Sequence, residues 1–158
     1  MRIAVLASHG GSVLQAVLDA CRARELDGIV VLVISNNSRA GALARAVEHG
    51  IPTLHLSSGT HPDPAELDAA MVEALEQAGA DWVLLAGYMK KLGARVLGRF
   101  RNRILNTHPA LLPKYGGHGF YGRRVHEAVL AAGEHETGAT VHLVDAEFVV
   151  DRAAGGAV

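Results

Sequence analysis

Short apolar runs alternate with amphipathic stretches along most of this chain. The apolar runs are rich in Val, Ile and Leu throughout, which is typical of strands buried on both faces of a sheet. They predict strands at 3–7, 29–34, 53–56, 82–86, 103–106 and 139–144. Apolar residues at three- and four-residue spacing predict helices at 12–24, 39–49, 64–78, 92–100 and 121–132. This alternation indicates a doubly wound α/β fold, with a mainly parallel sheet and helices on both faces.

Length and composition are those of one globular domain. The chain has 158 residues, of which 49% are hydrophobic and 20% charged, with a net charge of −1. A charge so close to zero argues against a nucleic-acid partner, and the apolar runs are too short to span a membrane. A single cysteine and an N-terminus without the apolar stretch of a signal peptide predict a cytoplasmic protein. No histidines have zinc-motif spacing, so we expect no metal site.

The most informative segment for function is ILNTHPALLPKY, at residues 104–115. Asn106 and His108 lie two residues apart at the end of a predicted strand, so both side chains should point to the same side. Open α/β sheets bind their ligands at this end. An imidazole can transfer a proton near neutral pH, and a fixed amide can donate to a developing oxyanion. The pair suits acyl or formyl transfer; alternatively, His108 caps a turn and Asn106 bonds its own backbone.

A glycine-containing loop, SHGGS, connects the first predicted strand to a helix that begins at or near Ser12. Free amides at a helix N-terminus bind anions, and glycines let a ligand approach the backbone closely. Ser12 can cap the helix or donate its hydroxyl to a phosphate. The loop lacks the dinucleotide fingerprint and the Walker pattern, so a nucleoside triphosphate is not expected. Phosphate binding and a tight turn without a ligand both fit this loop.

The segment LAGYMKKL, at residues 85–92, follows the fourth predicted strand. Met89 and Leu92 are apolar where the chain should turn into solvent. A flat heteroaromatic ligand nearby would explain these side chains. Ordinary packing beneath the next helix is the alternative explanation.

All three segments resemble the folate-dependent formyltransferases. The signature N-x-H-P-S-L-L-P of that family is similar to residues 106–113, and A-G-F/Y-M-x-x-L is similar to residues 86–92. The family loop S-G-x-G-S-N matches at Gly11 and Ser12, whereas His9 replaces a glycine and Val13 replaces the asparagine. The resemblance implies a Rossmann-like formyltransferase fold. It also implies transfer of a formyl group from 10-formyltetrahydrofolate, as cosubstrate, to the amine of glycinamide ribonucleotide in purine synthesis, without a metal and by a monomer or homodimer.

The resemblance further assigns roles to individual residues. Those that would bind glycinamide ribonucleotide are Gly10, Gly11, Ser12, Val13 and Gly87. Those that would bind the reduced folate are Met89, Lys90, Lys91, Leu92 and Asn106. The catalytic set would be Asn106, His108 and an aspartate near the C-terminal end.

That aspartate is where the chain departs from the family. The family pattern V-H-x-V-x-x-x-x-D places it at position 149, which is Val149 here, and Asp151 comes two residues late. Either an insertion has moved the aspartate to Asp151, or residues 149–158 no longer follow the family. We favour the second explanation, because this small-residue tail shows no helix or strand pattern. We therefore expect one formyltransferase domain over 1–158, family-like over 1–148, with feeble or no activity and an exposed apolar sheet face.

Two alternative functions stay open. The Asn/His pair also occurs in formyltransferases acting on methionyl-tRNA or nucleotide sugars, and in the formyltetrahydrofolate hydrolase. The glycine loop favours a small phosphorylated substrate over these. The other alternative is an inactive remnant that binds a sugar phosphate without chemistry.

Overall fold

The computed structural model describes residues 1–117, 120 and 122–144. Within these ranges the chain forms six strands and five helices in strict order along the sequence. They are β1 Arg2–Leu6, α1 Ser12–Arg22, β2 Ile29–Ser35, α2 Gly41–Glu48, β3 Thr53–His55, α3 Pro64–Gln77, β4 Trp82–Leu85, α4 Ala94–Arg99, β5 Ile104–His108, α5 Arg123–Ala131 and β6 Thr140–Leu143. No helix in these ranges is long and apolar enough to cross a membrane.

The strands form one sheet in the order β3-β2-β1-β4-β5-β6. The first five are parallel, and β6 pairs antiparallel with β5. The chain starts at β1, moves outward to β3, and returns to the other side of β1 at β4. This reversal is the topological switch point, where doubly wound sheets open a crevice beyond the carboxyl ends of their strands. The predicted fold class is confirmed.

The sheet is covered on both faces because its strands are apolar on both sides. On β1, Ala4 and Leu6 lie in a cluster with side chains of α3 and α4. The intervening Ile3 and Val5 lie in a second cluster with side chains of α1 and α2. Burying a valine, leucine or isoleucine side chain contributes roughly 1.5–3 kcal/mol to the stability of the fold. The continuous apolar runs are therefore a requirement of the two-sided core.

Two predicted boundaries differ from the structure in ways that affect function. β5 continues to His108, two residues beyond the predicted end, because β6 pairs with it and aligns Asn106 with His142. Asn106 and His108 thus lie inside a strand. At the start of α1 the N-cap is Gly11 and Ser12 is the first helical residue, so the suggestion that Ser12 caps the helix was wrong.

Candidate active site

A cleft of about 370 Å³ opens at the carboxyl ends of β1, β4 and β5. Its walls come from the loop after β1, the segment after β4, the end of β5 and one side chain of α2. The lining residues are His9, Gly10, Gly11, Ser12, Val13, Arg45, Ala86, Gly87, Tyr88, Met89, Asn106, Thr107, His108, Pro109, Phe120 and Gly122. The cleft thus brings together the predicted glycine loop, Gly87, Met89 and the Asn106/His108 pair.

The glycine loop enters α1 through a left-handed residue. Gly11 has φ of 75°, and a Cβ built on it would lie 2.8 Å from the Cα of Ala42. Both the conformation and the close approach of α2 therefore require glycine here. The first intrahelical bond runs from the Gln15 amide to the Gly11 carbonyl, at 2.9 Å. The backbone amides of Ser12 and Val13 come before Gln15 in the helix, so they have no intrahelical acceptor. They can therefore donate hydrogen bonds to an anion.

Ser8, which the sequence did not single out, fixes this loop against the segment after β4. Its hydroxyl accepts the Met89 amide at 2.8 Å and donates to the side-chain oxygen of Asn36. Its own amide donates to the Gly87 carbonyl at 3.2 Å. The Asn37 side chain donates to the Ser8 carbonyl at 3.3 Å. A 2% exposed serine thus sets the distance between two walls of the cleft.

The Asn106 amide is oriented by a histidine on the neighbouring strand. Its Nδ2 lies 3.1 Å from His142 Nε2, and His142 Nδ1 lies 3.0 Å from the Leu143 carbonyl. A carbonyl only accepts, so in this arrangement Nδ1 carries the proton and Nε2 accepts from Asn106. One of the two amide hydrogens is thereby used, and the other can serve a ligand in the cleft. The Val-His strand motif was noted in the sequence, but the pairing that gives His142 this role is not local.

The His108 ring is held by the loop that follows β5. It is 9% exposed, and its Nε2 lies 2.7 Å from the Tyr115 carbonyl. Because that carbonyl is an acceptor, Nε2 carries a proton. The Tyr115 hydroxyl donates to the Glu134 carboxylate at 3.0 Å, and the Lys114 ammonium donates to the same oxygen at 2.9 Å. A charged network at the end of α5 therefore anchors the carbonyl that orients His108.

This network shifts the ionisation of its members. The hydrogen bonds from Lys114 and then Tyr115 hold the pKa of the Glu134 carboxyl below its ordinary value. The hydrogen bond to Glu134, followed by its charge, raises the pKa of Lys114. Lys114 and Glu134 are therefore both charged at neutral pH.

The residues expected to bind folate are divided between two cavities. Met89 and Asn106 line the cleft, whereas Lys90, Lys91 and Leu92 line a second cavity of about 500 Å³. Tyr88 lines both, and burial raises the pKa of its hydroxyl. Leu92 is 8% exposed and packs in the main core, as the alternative explanation of ordinary packing required.

Two further predictions concern the catalytic aspartate and metal binding. Asp151, the candidate aspartate, lies outside the described residues. In the part of the chain that the structure describes, no three His, Cys, Asp or Glu side chains cluster as metal ligands would.

Among the lining residues outside the segments that the sequence singled out, Arg45 and Phe120 supply side chains to the cleft. They come from two separate parts of the chain and match no motif. The periodicity of α2 could have indicated which turn carries Arg45, but not that this turn faces the glycine loop. That contact is tertiary.

The fold and the cleft together define a class of protein. A doubly wound sheet, a glycine loop at its switch point and an amide beside an imidazole form a site suited to acyl or formyl transfer. Residues 1–152 match the family model described as Formyl transferase, and the chain belongs to this family. The matched range includes Asp151.

The relatives of this chain include proteins named phosphoribosylglycinamide formyltransferase. That of Haemophilus influenzae is 40% identical over 157 residues, which cover 99% of this chain and 69% of the relative. The chloroplastic one of Arabidopsis thaliana is 38% identical over 152 residues, covering 96% of this chain and 52% of the relative. The chain thus spans about half the length of the plant relative.

A solved structure agrees with this membership. The crystal structure of glycinamide ribonucleotide transformylase 1 from Symbiobacterium toebii is 41% identical, with a TM-score of 0.84. The similarity covers 92% of this chain and 66% of that chain.

Proposed function

We propose that this chain transfers a formyl group from 10-formyltetrahydrofolate to the amine of glycinamide ribonucleotide. The observation that carries the proposal is that Asn106 and His108 line the same cleft as the glycine loop. A phosphorylated amine with its phosphate on that loop would extend toward the pair. The names of the relatives support this acceptor among the formyl acceptors of the family.

The acceptor would lie along the floor of the cleft. The amides of Gly10, Gly11, Ser12 and Val13 would bind the phosphate, because a helix start presents donors and partial positive charge there. The Val13 side chain supplies an apolar wall where the family has a polar side-chain contact. A Cβ on Gly87 would meet nothing within 4 Å, so at this point the cleft has room for a substrate amine beside the backbone.

The reaction requires stabilisation of negative charge on the formyl oxygen. The neutral amine attacks the formyl carbon, and the oxygen gains charge as the new C–N bond forms. The free hydrogen of Asn106 Nδ2 and a protonated His108 ring would donate to it, and one such donor contributes on the order of 100- to 1,000-fold in rate. His108 or a water would then move the proton to the departing folate nitrogen. Asp151 is the candidate carboxylate for favouring the charged imidazole.

The cosubstrate would occupy both cavities. The pterin end fits the wall formed by Met89 and Asn106, and Tyr88 connects this wall to the second cavity. Lys90 and Lys91 would face the anionic tail of the folate, whose carboxylates complement their charge. Leu92 would support this wall from the core. No metal is needed for the transfer, and we place the enzyme in the cytoplasm as a monomer or homodimer.

A formyl-transfer assay tests the proposal directly. The purified chain is mixed with 10-formyltetrahydrofolate and glycinamide ribonucleotide, and the formylated product is followed by mass spectrometry. We expect slow transfer that falls at least about 100-fold in Asn106→Ala and in His108→Ala. Transfer that is unchanged in both variants would contradict the assigned roles.

A second candidate function is sugar-phosphate binding without chemistry. It is favoured by one observation: the glycine loop and its supports lie entirely within residues 8–45 and 87–89 of the sequence, none of which belongs to residues 149–158. Binding of glycinamide ribonucleotide by isothermal titration calorimetry, with no product formed, would support this function. A chain that binds neither substrate would contradict both candidates.

A further inference from the structure

We infer that Arg45 determines the specificity of the cleft for a phosphorylated acceptor, by binding the phosphate directly. This inference rests on the proposed function. Arg45 lies on α2, and its side chain lines the cleft beside Gly10, Gly11 and Ser12. No sequence motif points to it.

Two hydrogen bonds hold the guanidinium over the loop. Arg45 Nε donates to the Gly10 carbonyl at 2.8 Å, and Nη1 donates to the Gln15 side-chain oxygen at 3.0 Å. These bonds use two of the five N–H groups of a guanidinium. Three N–H groups are left in a fixed fork, the geometry that arginine offers to phosphate oxygens.

The packing of α2 against the loop explains why the side chain reaches this position. A Cβ on Gly41 would lie 3.2 Å from the Gly10 Cα, and one on Gly11 would lie 2.8 Å from the Ala42 Cα. The Ala42 amide also donates to the His9 carbonyl at 3.0 Å. The backbone of α2 therefore packs directly against the backbone of the glycine loop. Arg45 follows Gly41 by four residues, so its side chain projects from the same face of α2.

Charge gives the guanidinium its role. Among the described residues that line the cleft, Arg45 is the only lysine or arginine, and none is an aspartate or glutamate. A phosphate monoester carries about −1.5 to −2 charges at pH 7, whereas a helix N-terminus offers only about half a positive charge. Arg45 therefore supplies the permanent full charge that the loop amides lack.

Ribose 5-phosphate is a suitable probe, because it tests the phosphate contact without requiring turnover. Its affinity is measured by isothermal titration calorimetry for the wild-type chain, Arg45→Gln, Arg45→Lys and Arg39→Gln. Arg39 is exposed and does not line the cleft, so Arg39→Gln is a control with the same change of net charge. We expect about 10- to 100-fold weaker binding in Arg45→Gln, as for a lost charge-assisted hydrogen bond, and less than about twofold in the control.

A purely structural role of Arg45 makes different predictions. Lysine cannot reproduce both bonds to Gly10 and Gln15, so a loop-holding role would make Arg45→Lys as weak as Arg45→Gln. Phosphate binding predicts an intermediate affinity for Arg45→Lys. It also predicts that the second pKa of bound ribose 5-phosphate, followed by ³¹P NMR, is lower in the wild-type chain than in saturated Arg45→Gln.

Each outcome has a separate meaning. If the wild-type chain and Arg45→Gln bind ribose 5-phosphate equally, the inference is wrong and the proposed function stands. If Arg45→Gln binds weakly as expected but the wild-type chain transfers no formyl group, the inference stands and the proposed function fails. If the wild-type chain does not bind ribose 5-phosphate, the inference about Arg45 is wrong, and so is the phosphate site of the proposed function.

Discussion

Replacing Gly11 by alanine tests the glycine loop with a single methyl group. Gly11 has φ of 75°, and the added Cβ would lie 2.8 Å from the Ala42 Cα and 2.9 Å from its Cβ. Gly10 is the matched control, because its φ is not positive and a Cβ there would meet nothing within 4 Å. The two variants carry the same substitution at adjacent positions, so their amino-acid compositions are identical.

The expected loss of stability follows from three terms. A left-handed conformation costs a residue with a side chain roughly 1–2 kcal/mol. Forcing a methyl group against the backbone of a packed helix costs typically about 1–3 kcal/mol. Reduced entropy of the unfolded chain returns about 0.4–1 kcal/mol. Gly11→Ala should therefore lower the free energy of unfolding by about 1–5 kcal/mol, with a central value of about 3 kcal/mol, whereas Gly10→Ala should change it by less than about 1 kcal/mol.

Urea unfolding followed by circular dichroism measures both variants against the wild-type chain. In calorimetry, Gly11→Ala should also bind glycinamide ribonucleotide at least about 10-fold more weakly, because the first turn of α1 must move, while folate binding is largely kept. Equal unfolding midpoints for the two variants would refute the close approach of α2. Equal loss of both ligands by Gly11→Ala would indicate global misfolding instead of a local change in the loop.

Three further predictions address other parts of the site and its support. Asp68 accepts hydrogen bonds from the backbone N–H groups of Arg95 and Val96 in the first turn of α4, at 2.8 and 3.2 Å, so Asp68→Ala should lower the free energy of unfolding by about 1 kcal/mol, measured in urea. The lowered pKa of Glu134 means that its contact with Lys114 is fully present above the ordinary carboxyl pKa and is lost as pH falls through the lowered value. The hydrogen-exchange protection of residues 114–117, corrected for the intrinsic effect of pH on exchange, should therefore fall in acid, and in Glu134→Gln already at neutral pH. Glu134→Gln should also move the pH dependence of formyl transfer through His108, a shift that Glu127→Gln, on the preceding helix α5, should not produce. If Asp151 serves His108, Asp151→Asn should abolish transfer in the mass-spectrometric assay; an unchanged rate would exclude that role.

The fold was predictable because its signal is local. Val5, Val33 and Val83 are fully buried in continuous apolar runs, and two-sided burial of such runs requires helices on both faces. The end of β5 was not predictable in this way. His108 belongs to the strand only because residues around position 140, far along the chain, supply the pairing partner.

The residues that line the cleft were predictable where one segment supplies them and not where segments meet. Asn106, His108, Gly10 and Gly11 all line it, as the resemblance to the family implied, and their roles stay predictions. Ser8 and Arg45 make contacts between segments that are distant in the sequence, and the hydrophobic periodicity does not predict such contacts. The resemblance grouped Lys90 and Lys91 with Met89 in one folate-binding segment, whereas the structure divides this group between two cavities.

The contact between Gly11 and Ala42 restricts how this cleft can evolve or be redesigned. Shortening Ala42 to glycine would remove the Cβ at 2.9 Å but not the Cα at 2.8 Å, so no partner substitution makes room for a side chain at position 11. The loop backbone is therefore a fixed part of the cleft in any variant that keeps this packing. New acceptor specificity has to come from side chains around it, and a mutant library should vary Val13 and Arg45 while leaving Gly11 unchanged.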